Sequence, residues 1–313
     1  MLSIIYSIYN RRKIFKRGLE SILRQSFAPK NLEILIVDDN STEPIEEAIS
    51  PIRSKIKVRH IIYDHTKSPI YKELNRKGGD DWYHTQAISA NIGISKAEGE
   101  VIGLIQPEMI LSPHSLQTGY EMAKDGKAAF GEVWLGAQQF NQFLDDNEWQ
   151  KYSYDQLYEI ARKFGTEYPY NHMPDQGFYE MYWYTMFFST KTARDINGVD
   201  LRYQTGVYAE DDQFKMRMRM AGCPDTWAGR PNLTGEVGDR IVGIHQSHSH
   251  ESHRRQQRES LFWNEGANRN RALFRDFCAN PYTVANEKTD PWNNSLIISE
   301  VCYEINQQAK TRD

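Results

Sequence analysis

The chain has 313 residues, of which 39% are hydrophobic and 26% are charged, and its formal net charge is -4. This composition is typical of a soluble globular protein with a sizeable core, built as one large domain or as one domain with an appendage. No apolar run approaches the roughly 18 residues that span a bilayer, and the negative balance gives no bulk attraction to nucleic acid or to an acidic membrane.

Cysteine usage and the first apolar run bear on the cellular compartment. The three cysteines, Cys223, Cys278 and Cys302, are widely spaced, which favours neither a disulfide framework nor a zinc site. Basic residues follow the N-terminal apolar run at positions 11–13, whereas a secretory signal carries them in front of it. We therefore expect a cytoplasmic protein.

Two short β-branched runs, joined by a helical pattern, open the chain. The first covers residues 2–10 and the second residues 32–37, and the second ends abruptly in Asp38 and Asp39. Such a pair predicts a βαβ unit with parallel strands, whose carboxyl ends lie along the edge where ligands bind. That edge carries Tyr9 and the two acids but no Gly-x-Gly-x-x-Gly turn, so we expect base and ribose contacts there rather than a phosphate cradle.

The alternation of strands and helices continues to about residue 105. The patterns predict a helix near Pro44–Ile52, a strand over Val58–Tyr63, a polar loop through residues 78–81, a helix over His84–Ala97 and a buried strand over Val101–Ile105. Together these elements predict a doubly wound sheet.

The remainder of the chain is less regular. From about Phe130 to Tyr184 it is rich in aromatic rings, which either shape a sugar-stacking pocket or form a plain hydrophobic core. Helices are predicted over Asp211–Ala221 and from about Glu251 to Ala279, ended by a glycine and a proline respectively. The tail after that proline is polar and is expected to wrap the body.

Five short motifs occur in a consistent order along this pattern. They are Ser7-Ile8-Tyr9-Asn10, Leu19-x-Ser21-Ile22-Leu23-x-Gln25-Ser26, Ile36-Val37-Asp38-Asp39-Asn40-Ser41, Asn91-x-Gly93-Ile94 followed by Ala97-x-Gly99-Glu100-Val101-Ile102, and Gly198-Val199-Asp200 before Glu210-Asp211. In this order and spacing the chain resembles the family 2 glycosyltransferases over roughly residues 1–222. The resemblance implies an α/β fold of the GT-A type, a Rossmann-like, doubly wound mixed sheet over residues 1–250, followed by a C-terminal helical extension and tail over residues 251–313.

The resemblance implies transfer of a sugar from a nucleotide-diphosphate donor, most simply a UDP-sugar, to a hydroxyl of a glycan or another acceptor. We expect the reaction to be metal-assisted and inverting, because a Glu-Asp pair is present without an evident second nucleophile. Two alternatives stay open. One is a non-catalytic nucleotide-sugar or glycan-binding module with a degenerate metal site, and the other is a transferase that modifies DNA or protein, which requires a basic acceptor groove.

By the same resemblance, the aromatic residue of the first strand and the acid that ends the second hold the nucleobase and ribose. Tyr9 is expected to border or stack on the base, and Asp39 or Asp38 to accept from its ring nitrogen. The alternative is that the two acids only cap a turn. The full set of expected nucleotide-binding residues is Ser7, Tyr9, Asp38, Asp39, Asn91 and Gln106.

The chain departs from the family pattern at two places. Many relatives have an arginine before Asn91, where this chain has Ala90, so a basic contact to the nucleotide is expected from elsewhere. Gln106-Pro107-Glu108 replaces the acid-x-acid metal motif, although a neutral amide at Gln106 can still hydrogen-bond a ribose hydroxyl. The candidates for the basic contact are Lys72, Arg76 and Lys77.

Two residues are the expected metal ligands. Glu108 takes the position of the metal-binding acid, and His245 ends the late strand at residues 241–244, where relatives have a histidine ligand. Such a site suits Mn²⁺ or Mg²⁺, which neutralises charge on the departing diphosphate. Alternatively Glu108 only caps the next helix, in a metal-independent or inactive protein. The histidine run, which continues through His248, His250 and His253, is alternatively a mobile metal-sequestering loop or a polar lid.

The catalytic base is expected from the acidic pair Glu210 and Asp211 at the start of a helix. We favour Asp211, because a helix N-terminus stabilises an ionised carboxylate that can accept the proton of the acceptor hydroxyl. The alternative is that these acids and Asp212 only complement the helix dipole. Arg217 either orients the acids through a salt bridge or faces solvent.

Overall fold

The computed structural model describes residues 1–68, 86–164, 184–204, 209–229, 240–248, 261–287 and 289–305. Its strands are β1 (Leu2–Ile8), β2 (Leu32–Asp38), β3 (Lys57–Tyr63), β4 (Val101–Ile105), β5 (Met109–Leu111), β6 (Ala128–Phe130), β7 (Glu132–Leu135), β8 (Thr185–Ser189), β9 (Asp225–Trp227), β10 (Val242–His245) and β11 (Ile297–Tyr303). Its α-helices are α1 (Arg12–Ile22), α2 (Glu46–Ile49), α3 (Gln86–Lys96), α4 (Ser115–Lys124), α5 (Gln138–Asp146), α6 (Tyr154–Phe164), α7 (Thr190–Asp195), α8 (Glu210–Met220) and α9 (Leu261–Ala279). Within the described residues, none of these helices combines the length and apolar character needed to cross a membrane.

The central sheet has eight strands in the order β11-β3-β2-β1-β4-β8-β6-β9. Strands β1 to β4 are mutually parallel, whereas β8 runs antiparallel to β4 and β11 antiparallel to β3. This order confirms the predicted α/β class and the doubly wound, mixed sheet.

Helices cover both faces of the sheet, which explains why the inner strands are apolar throughout. All seven residues of β1 and all seven of β2 are buried. Helices α1, α2 and α4 pack on one face, and α3, α7 and α8 pack on the other. Parallel strands buried on both faces are typically continuous apolar runs, so the sequence signal was clear here.

The carboxyl ends of β1, β2 and β4 meet along one edge. Ile8 pairs with Asp38 across the first two strands, and Ile5 pairs with Leu104 across the other boundary. Residues that directly follow these strands therefore lie side by side, as the βαβ pattern predicts.

A second sheet of three strands, in the order β5-β10-β7, lies beyond this edge. Helices α5 and α6 cover it with a separate apolar cluster that contains Trp134, Phe140 and Leu157. In this sheet His245 of β10 lies opposite Met109 of β5. The pairing brings the late strand next to the loop that carries Glu108.

The described C-terminal residues contact the central sheet and the segment before α8, and the division at residue 250 stays a prediction. Strand β11 joins the central sheet beside β3. Asn286 accepts a hydrogen bond from the backbone amide of Leu201 (3.0 Å) and donates to the carbonyls of Asn197 (2.9 Å) and Val199 (2.8 Å). Only the later part of the predicted helix over Glu251–Ala279 falls within the described residues, as α9. These long-range contacts leave no local signal in the sequence.

Arg217 anchors α8 from within the core. It is fully buried, and its guanidinium donates to Gln213 Oε1 (3.0 Å) and to the carbonyls of Ile196 (2.9 Å) and Gly198 (2.6 Å). Burial lowers the pKa of this arginine to about 10. Neither of the two expected roles, a salt bridge to the acids of α8 or a solvent-facing side chain, describes this residue.

Replacing Arg217 with methionine is expected to lower the free energy of unfolding by about 3 kcal/mol or more, because buried acceptors lose their donor. Urea unfolding measures this change. The matched control is Arg219→Met on the same helix, since Arg219 is 61% exposed and only pairs with Asp225. We expect a loss under about 1 kcal/mol for the control. Equal losses in the two variants would contradict the anchoring role.

Candidate functional site

The loop after β1 is tied to the loop after β2. Asn10 and Arg11 both adopt left-handed backbone conformations (φ 57° and 66°). Asn10 donates its backbone amide to Ser41 Oγ (2.7 Å), and its side-chain oxygen accepts from the backbone amides of Thr42 (2.9 Å) and Glu43 (3.2 Å). Strained non-glycine residues of this kind cluster at functional sites.

Tyr9 and Arg11 point in different directions from this loop. Tyr9 is 41% exposed, so its ring is accessible at the rim where the family resemblance implies a nucleobase. The Arg11 guanidinium instead reaches Glu108, with Nη1 3.4 Å from Oε1. This contact joins the end of β1 to the loop that follows β4.

Glu108 lies at the centre of a buried cluster. Its Oε1 lies 3.0 Å from Nε2 of His245 and 3.0 Å from Nε2 of His248. Its Oε2 is buried and has no hydrogen-bond partner among the residues that the structure describes. The structure thus brings the two predicted ligands, Glu108 and His245, together and adds His248 to them. His250 and His253, the other candidates of the histidine run, lie outside the described residues.

The protonation states of this cluster suit metal binding. Burial by itself raises the pKa of Glu108, but Arg11 and the hydrogen bonds from His245 and His248 together hold it well below its usual range. Burial lowers the pKa of His248, against the opposing effect of Glu108. An ionised carboxylate beside a neutral imidazole is the form in which both groups bind a cation.

The arrangement of donor atoms fits a divalent cation. One ligand atom from each of Glu108, His245 and His248 lies within 4.8 Å of the others. The unpartnered Oε2 of Glu108 offers a further oxygen. One carboxylate and two imidazoles suit Mn²⁺ better than Mg²⁺, because Mg²⁺ prefers oxygen ligands and several waters.

Several contacts fix Glu108 in place. Gln246 donates both its backbone amide and its side-chain amide to the Glu108 carbonyl, each at 3.1 Å. Gly18 of α1 lies so close that a Cβ there would be 2.5 Å from the carbonyl oxygen of Pro107. The edge of the Tyr184 ring packs on His245, with ring centroids 5.1 Å apart. Helix α1, the loop after β4 and β10 therefore hold the cluster from three sides.

The Asp38 carboxylate hydrogen-bonds neighbouring side chains and backbone of the protein itself. Its Oδ1 accepts from Ser41 through the backbone amide (2.9 Å) and the hydroxyl (2.6 Å), and its Oδ2 lies 3.0 Å from Nε2 of His60. The side chain is buried. The capping alternative describes this residue, and the structure does not support a nucleobase contact for it.

Asp39 faces the opposite side of the sheet from Asp38. Its side chain has no exposed surface, and Oδ1 lies 2.6 Å from Nδ1 of His65. Ser7 points to the same side, where its hydroxyl lies 2.5 Å from the hydroxyl of Ser89 on α3. Of the predicted nucleotide-binding residues, Ser7 and Asp39 are thus together beneath the edge, and Tyr9 is at its surface.

Asn91 lies in the core rather than at the edge. It is fully buried on α3, donates to the Val199 carbonyl (2.8 Å) and accepts from the Val199 amide (2.7 Å). Gly198, with φ +69°, approaches so closely that a Cβ there would be 2.4 Å from Asn91 Oδ1. The structure does not support the predicted nucleotide contact for Asn91, because its amide fixes the segment before α8.

Gln106 directly follows β4 and is half-buried at the edge. Its backbone amide donates to the Tyr184 carbonyl (3.0 Å). The three lysine and arginine candidates between residues 72 and 77 lie outside the described residues. The source of the basic contact therefore stays a prediction.

The acidic pair Glu210 and Asp211 lies in the first turn of α8. Phe214 packs on Phe188 with ring centroids 5.4 Å apart, and the Cys223 thiol lies beside the backbone of Ser189. Helix α8 therefore packs against β8, the strand that pairs with β4.

Burial raises the pKa of Asp211 to about 7, and the neighbouring charge of Asp212 contributes to this rise against the opposing charge of Lys215. Asp211 Oδ1 also accepts from the Asp212 backbone amide (2.9 Å). A carboxylate with a pKa near 7 is suited to exchange a proton with a substrate at neutral pH. If Asp211 only complemented the helix dipole, its pKa would be lowered, because a helix N-terminus favours an ionised carboxylate. The raised pKa is in the opposite direction.

Most of the described aromatic residues between Phe130 and Phe164 form a core rather than a pocket. Trp134 Nε1 (2.5 Å) and the Tyr158 hydroxyl (3.1 Å) both donate to the buried carboxylate of Glu132. Residues 165–183 of this aromatic region lie outside the described part of the chain, so the pocket hypothesis there stays a prediction.

Comparison with known proteins gives matches to glycosyltransferases. Glycosyltransferase GlyG of Streptococcus pneumoniae is 28% identical over 128 residues, which cover 41% of this chain and 36% of that protein. The GalNAc(5)-diNAcBac-PP-undecaprenol beta-1,3-glucosyltransferase of Campylobacter jejuni is 27% identical over 127 residues, again 41% and 36% of the two chains. This chain spans about a third of the length of the curated relatives that it matches.

Among solved structures, the mannosyltransferase PcManGT of Pyrobaculum calidifontis, in complex with GDP-Man and Mn²⁺, matches with a TM-score of 0.48 and 13% identity, over 90% of this chain and 76% of that one. TarS 1–349 of S. aureus, in complex with UDP, matches with a TM-score of 0.48 and 12% identity, over 90% of this chain and 72% of that one. Residues 3–73, which hold β1, α1, β2 and β3, match the model of the family "Glycosyl transferase family 2". In this segment, which carries Tyr9 and Asp39, the chain is similar to glycosyltransferase family 2.

Proposed function

We propose that this protein transfers a sugar from a nucleoside-diphosphate donor, a UDP-sugar, to an acceptor hydroxyl with inversion at the anomeric carbon. The observation that carries this proposal is the buried cluster of Glu108, His245 and His248 after β4. The chain also supplies Asp211 at the start of α8, whose pKa burial raises to about 7. The two sites supply the two functions that such a transfer needs, charge neutralisation at the leaving group and a base for the acceptor.

Glu108, His245 and His248 would hold the metal ion, and Mn²⁺ is the ion that this donor set favours. When bound, the ion supplies positive charge that stabilises the departing nucleoside diphosphate. Arg11 places a further positive charge beside the same carboxylate. Gln246 and Gly18 keep the loop of Glu108 in position through the contacts described above.

Asp211 acts as the general base. Its carboxylate takes the proton of the acceptor hydroxyl while the acceptor oxygen bonds to the anomeric carbon and the bond from that carbon to the diphosphate breaks. One displacement of this kind inverts the anomeric configuration. Glu210 adjoins the base at the first turn of α8, where backbone amides favour negative charge.

A donor screen tests the proposal. Release of sugar from UDP-, GDP- and TDP-sugars is measured with Mn²⁺, with Mg²⁺ and with a chelator, and the product of a transfer is examined by NMR. We expect hydrolysis of a UDP-sugar that requires Mn²⁺, and an inverted product when an acceptor is present. A product with retained configuration would contradict the single displacement.

The same screen separates the alternatives. The acid-x-acid motif is replaced by Gln106-Pro107-Glu108, which is the observation that favours a binding module. UDP binding that is indifferent to Mn²⁺, without any donor hydrolysis, would support that module over an enzyme. Salt-sensitive binding to nucleic acid would support a DNA-modifying transferase. The acceptor and the cytoplasmic location stay predictions.

A further inference from the structure

Gln246 is a buried residue next to His245 that joins helix α1 to the loop of Glu108. It has no exposed surface. Its Nε2 donates to the carbonyls of Ile14 (3.1 Å) and Glu108 (3.1 Å), and its backbone amide donates to the same Glu108 carbonyl. Its Oε1 accepts from Nη1 of Arg17 (3.3 Å). Every polar atom of this side chain is therefore used to connect the two elements.

Arg17 determines which way the side-chain amide of Gln246 points. A guanidinium only donates hydrogen bonds, so the amide atom that faces it is the oxygen. The two carbonyls on the other side only accept, so they face the NH2 group. An amide turned by half a rotation would oppose donor to donor at Arg17 and acceptor to acceptor at both carbonyls. The network of contacts thus selects one orientation.

Arg17 is held in turn by helix α5. It is only 6% exposed, and its Nη2 donates to Oδ1 of Asp145, near the end of that helix. Lys13, one turn earlier on α1, reaches the same carboxylate oxygen (2.7 Å), but its side chain is 69% exposed. Arg17 therefore uses one nitrogen for the ion pair and another for Gln246, which the forked guanidinium allows.

Helix α5 also holds the chain on both sides of Gln246. The amide of Gly136, just before this helix, donates to the His245 carbonyl (2.8 Å). Asn141, within the helix, donates through Nδ2 to the Ser247 carbonyl. Both neighbours of Gln246 are thus fixed through their carbonyls, and the Gln246 side chain supplies the link to α1.

Stability alone gives little reason for a buried arginine at this place. Burial lowers the pKa of Arg17, because the charged form is removed from water. The same desolvation offsets much of the attraction within a buried ion pair, so a well-packed apolar side chain of similar volume is often as stabilising. An apolar side chain has no donor for the Gln246 oxygen, however, and leaves that amide free to rotate. Orientation of Gln246 is what the arginine adds.

We propose that Arg17 is a positioning residue for the cation site, and that it acts through Gln246 on the loop of Glu108. The oriented amide holds the Glu108 carbonyl, and with it the carboxylate that His245 and His248 contact. This inference rests on the proposed function, since the cation is the one that the proposed reaction requires.

Calorimetric titration of the full chain with Mn²⁺ tests the proposal. Loss of a residue that positions metal ligands typically lowers the metal affinity about 10- to 100-fold, so we expect a loss of roughly tenfold or more for Arg17→Met. Lys13→Met is the matched control, because it removes a cation from the same helix and from the same acid. We expect it to keep the Mn²⁺ affinity. Urea unfolding of each variant measures stability separately.

A double-mutant cycle separates positioning from a purely structural role. If Arg17 acts through Gln246, Arg17→Met causes little further loss of Mn²⁺ affinity once Gln246→Leu is present. Arg17→Lys keeps the positive charge, but its single ammonium lacks the fork that serves two partners. We expect an intermediate loss of Mn²⁺ affinity for this variant, which supplies the same comparison if Arg17→Met does not fold.

Three outcomes would overturn the proposal. A lower free energy of unfolding with unchanged Mn²⁺ affinity, in Arg17→Met or in Arg17→Lys, refutes the positioning role and leaves the proposed function intact. Fully additive losses of Mn²⁺ affinity in the cycle show that Arg17 does not act through Gln246. Absence of Mn²⁺ binding to the wild-type protein contradicts the cation site of the proposed function itself, and with it this inference.

Discussion

Replacement of Asp211 with asparagine is expected to lower the rate constant of sugar transfer by roughly 10²- to 10⁴-fold, the usual contribution of a general base. The amide has nearly the same shape as the carboxylate but cannot take the acceptor proton. Binding of UDP and Mn²⁺ is expected to be unchanged, because the Glu108 cluster is formed by other elements. Single-turnover kinetics and calorimetry measure the two quantities separately.

The pH dependence of the wild-type enzyme follows from the same residue. Burial and the charge of Asp212 raise the pKa of Asp211 to about 7, so the base is protonated and inactive below that pH. The ratio kcat/KM is therefore expected to rise as the pH increases through about 7. A rate that is independent of pH between about 5 and 9 would contradict the assignment of Asp211 as the base.

Asp212→Asn is the matched control. Asp212 is 47% exposed and pairs with Lys215 (2.7 Å), so its replacement leaves the base in place. Its negative charge raises the pKa of Asp211, and neutralising it lowers that pKa. The rising limb of the pH profile is expected to move to lower pH in this variant, with most of the maximal rate retained. Loss of activity comparable to that of Asp211→Asn would indicate that Asp212 is the base instead.

The first half of the fold was predictable because its signals are local. Strands β1, β2 and β4 are buried on both faces, and such strands are continuous apolar runs in the sequence. Their parallel arrangement implies a common carboxyl edge, so the residues that directly follow them share one rim. Tyr9 and Asp39, which directly follow β1 and β2, could be assigned to that rim from their positions in the sequence alone.

Residues whose roles depend on distant partners were not predictable in the same way. The sequence pattern predicts a nucleotide contact for Asn91 and a salt bridge to the acids of α8 as one role for Arg217. In the structure each side chain instead hydrogen-bonds backbone groups at or next to Gly198 in the core. The same is true of His65, which is separated from Asp39 by 26 positions. A sequence shows that such a side chain is polar, but burial and partner are set by the packing of separate elements.

The cluster of Glu108, His245 and His248 falls between these cases. Its acid and its first histidine came from the family pattern, and His248 was one of several histidines in a dense run with no local feature to single it out. The structure singles out His248 because β10 ends at His245, beside the loop that carries Glu108. His248, three positions further along the chain, therefore contacts the same carboxylate.

Replacement of Glu108 with glutamine is expected to abolish measurable Mn²⁺ binding and to lower the Mn²⁺-dependent rate by on the order of 10²- to 10³-fold, since the ion stabilises the leaving group by several kcal/mol. The amide lacks the negative charge, although it has the same volume within this buried cluster. Calorimetric titration with Mn²⁺, and kinetics over a range of Mn²⁺ concentrations, measure the two effects.

Glu43→Gln supplies the matched control for Glu108→Gln, because Glu43 is an exposed acid of the loop after β2 whose carboxylate accepts a long hydrogen bond (3.3 Å) from the Arg12 amide. We expect it to bind Mn²⁺ as the wild-type protein does. His248→Ala distinguishes the donor set from the family pattern of one acid and one histidine. If His248 is a ligand, its loss lowers the affinity for Mn²⁺ more than the affinity for Mg²⁺, because Mn²⁺ accepts an imidazole ligand more readily than Mg²⁺, which prefers oxygen ligands. Equal affinities of wild-type protein and Glu108→Gln for Mn²⁺ would show that the cation binds elsewhere, and that the cluster of Glu108, His245 and His248 is a structural hydrogen-bond network.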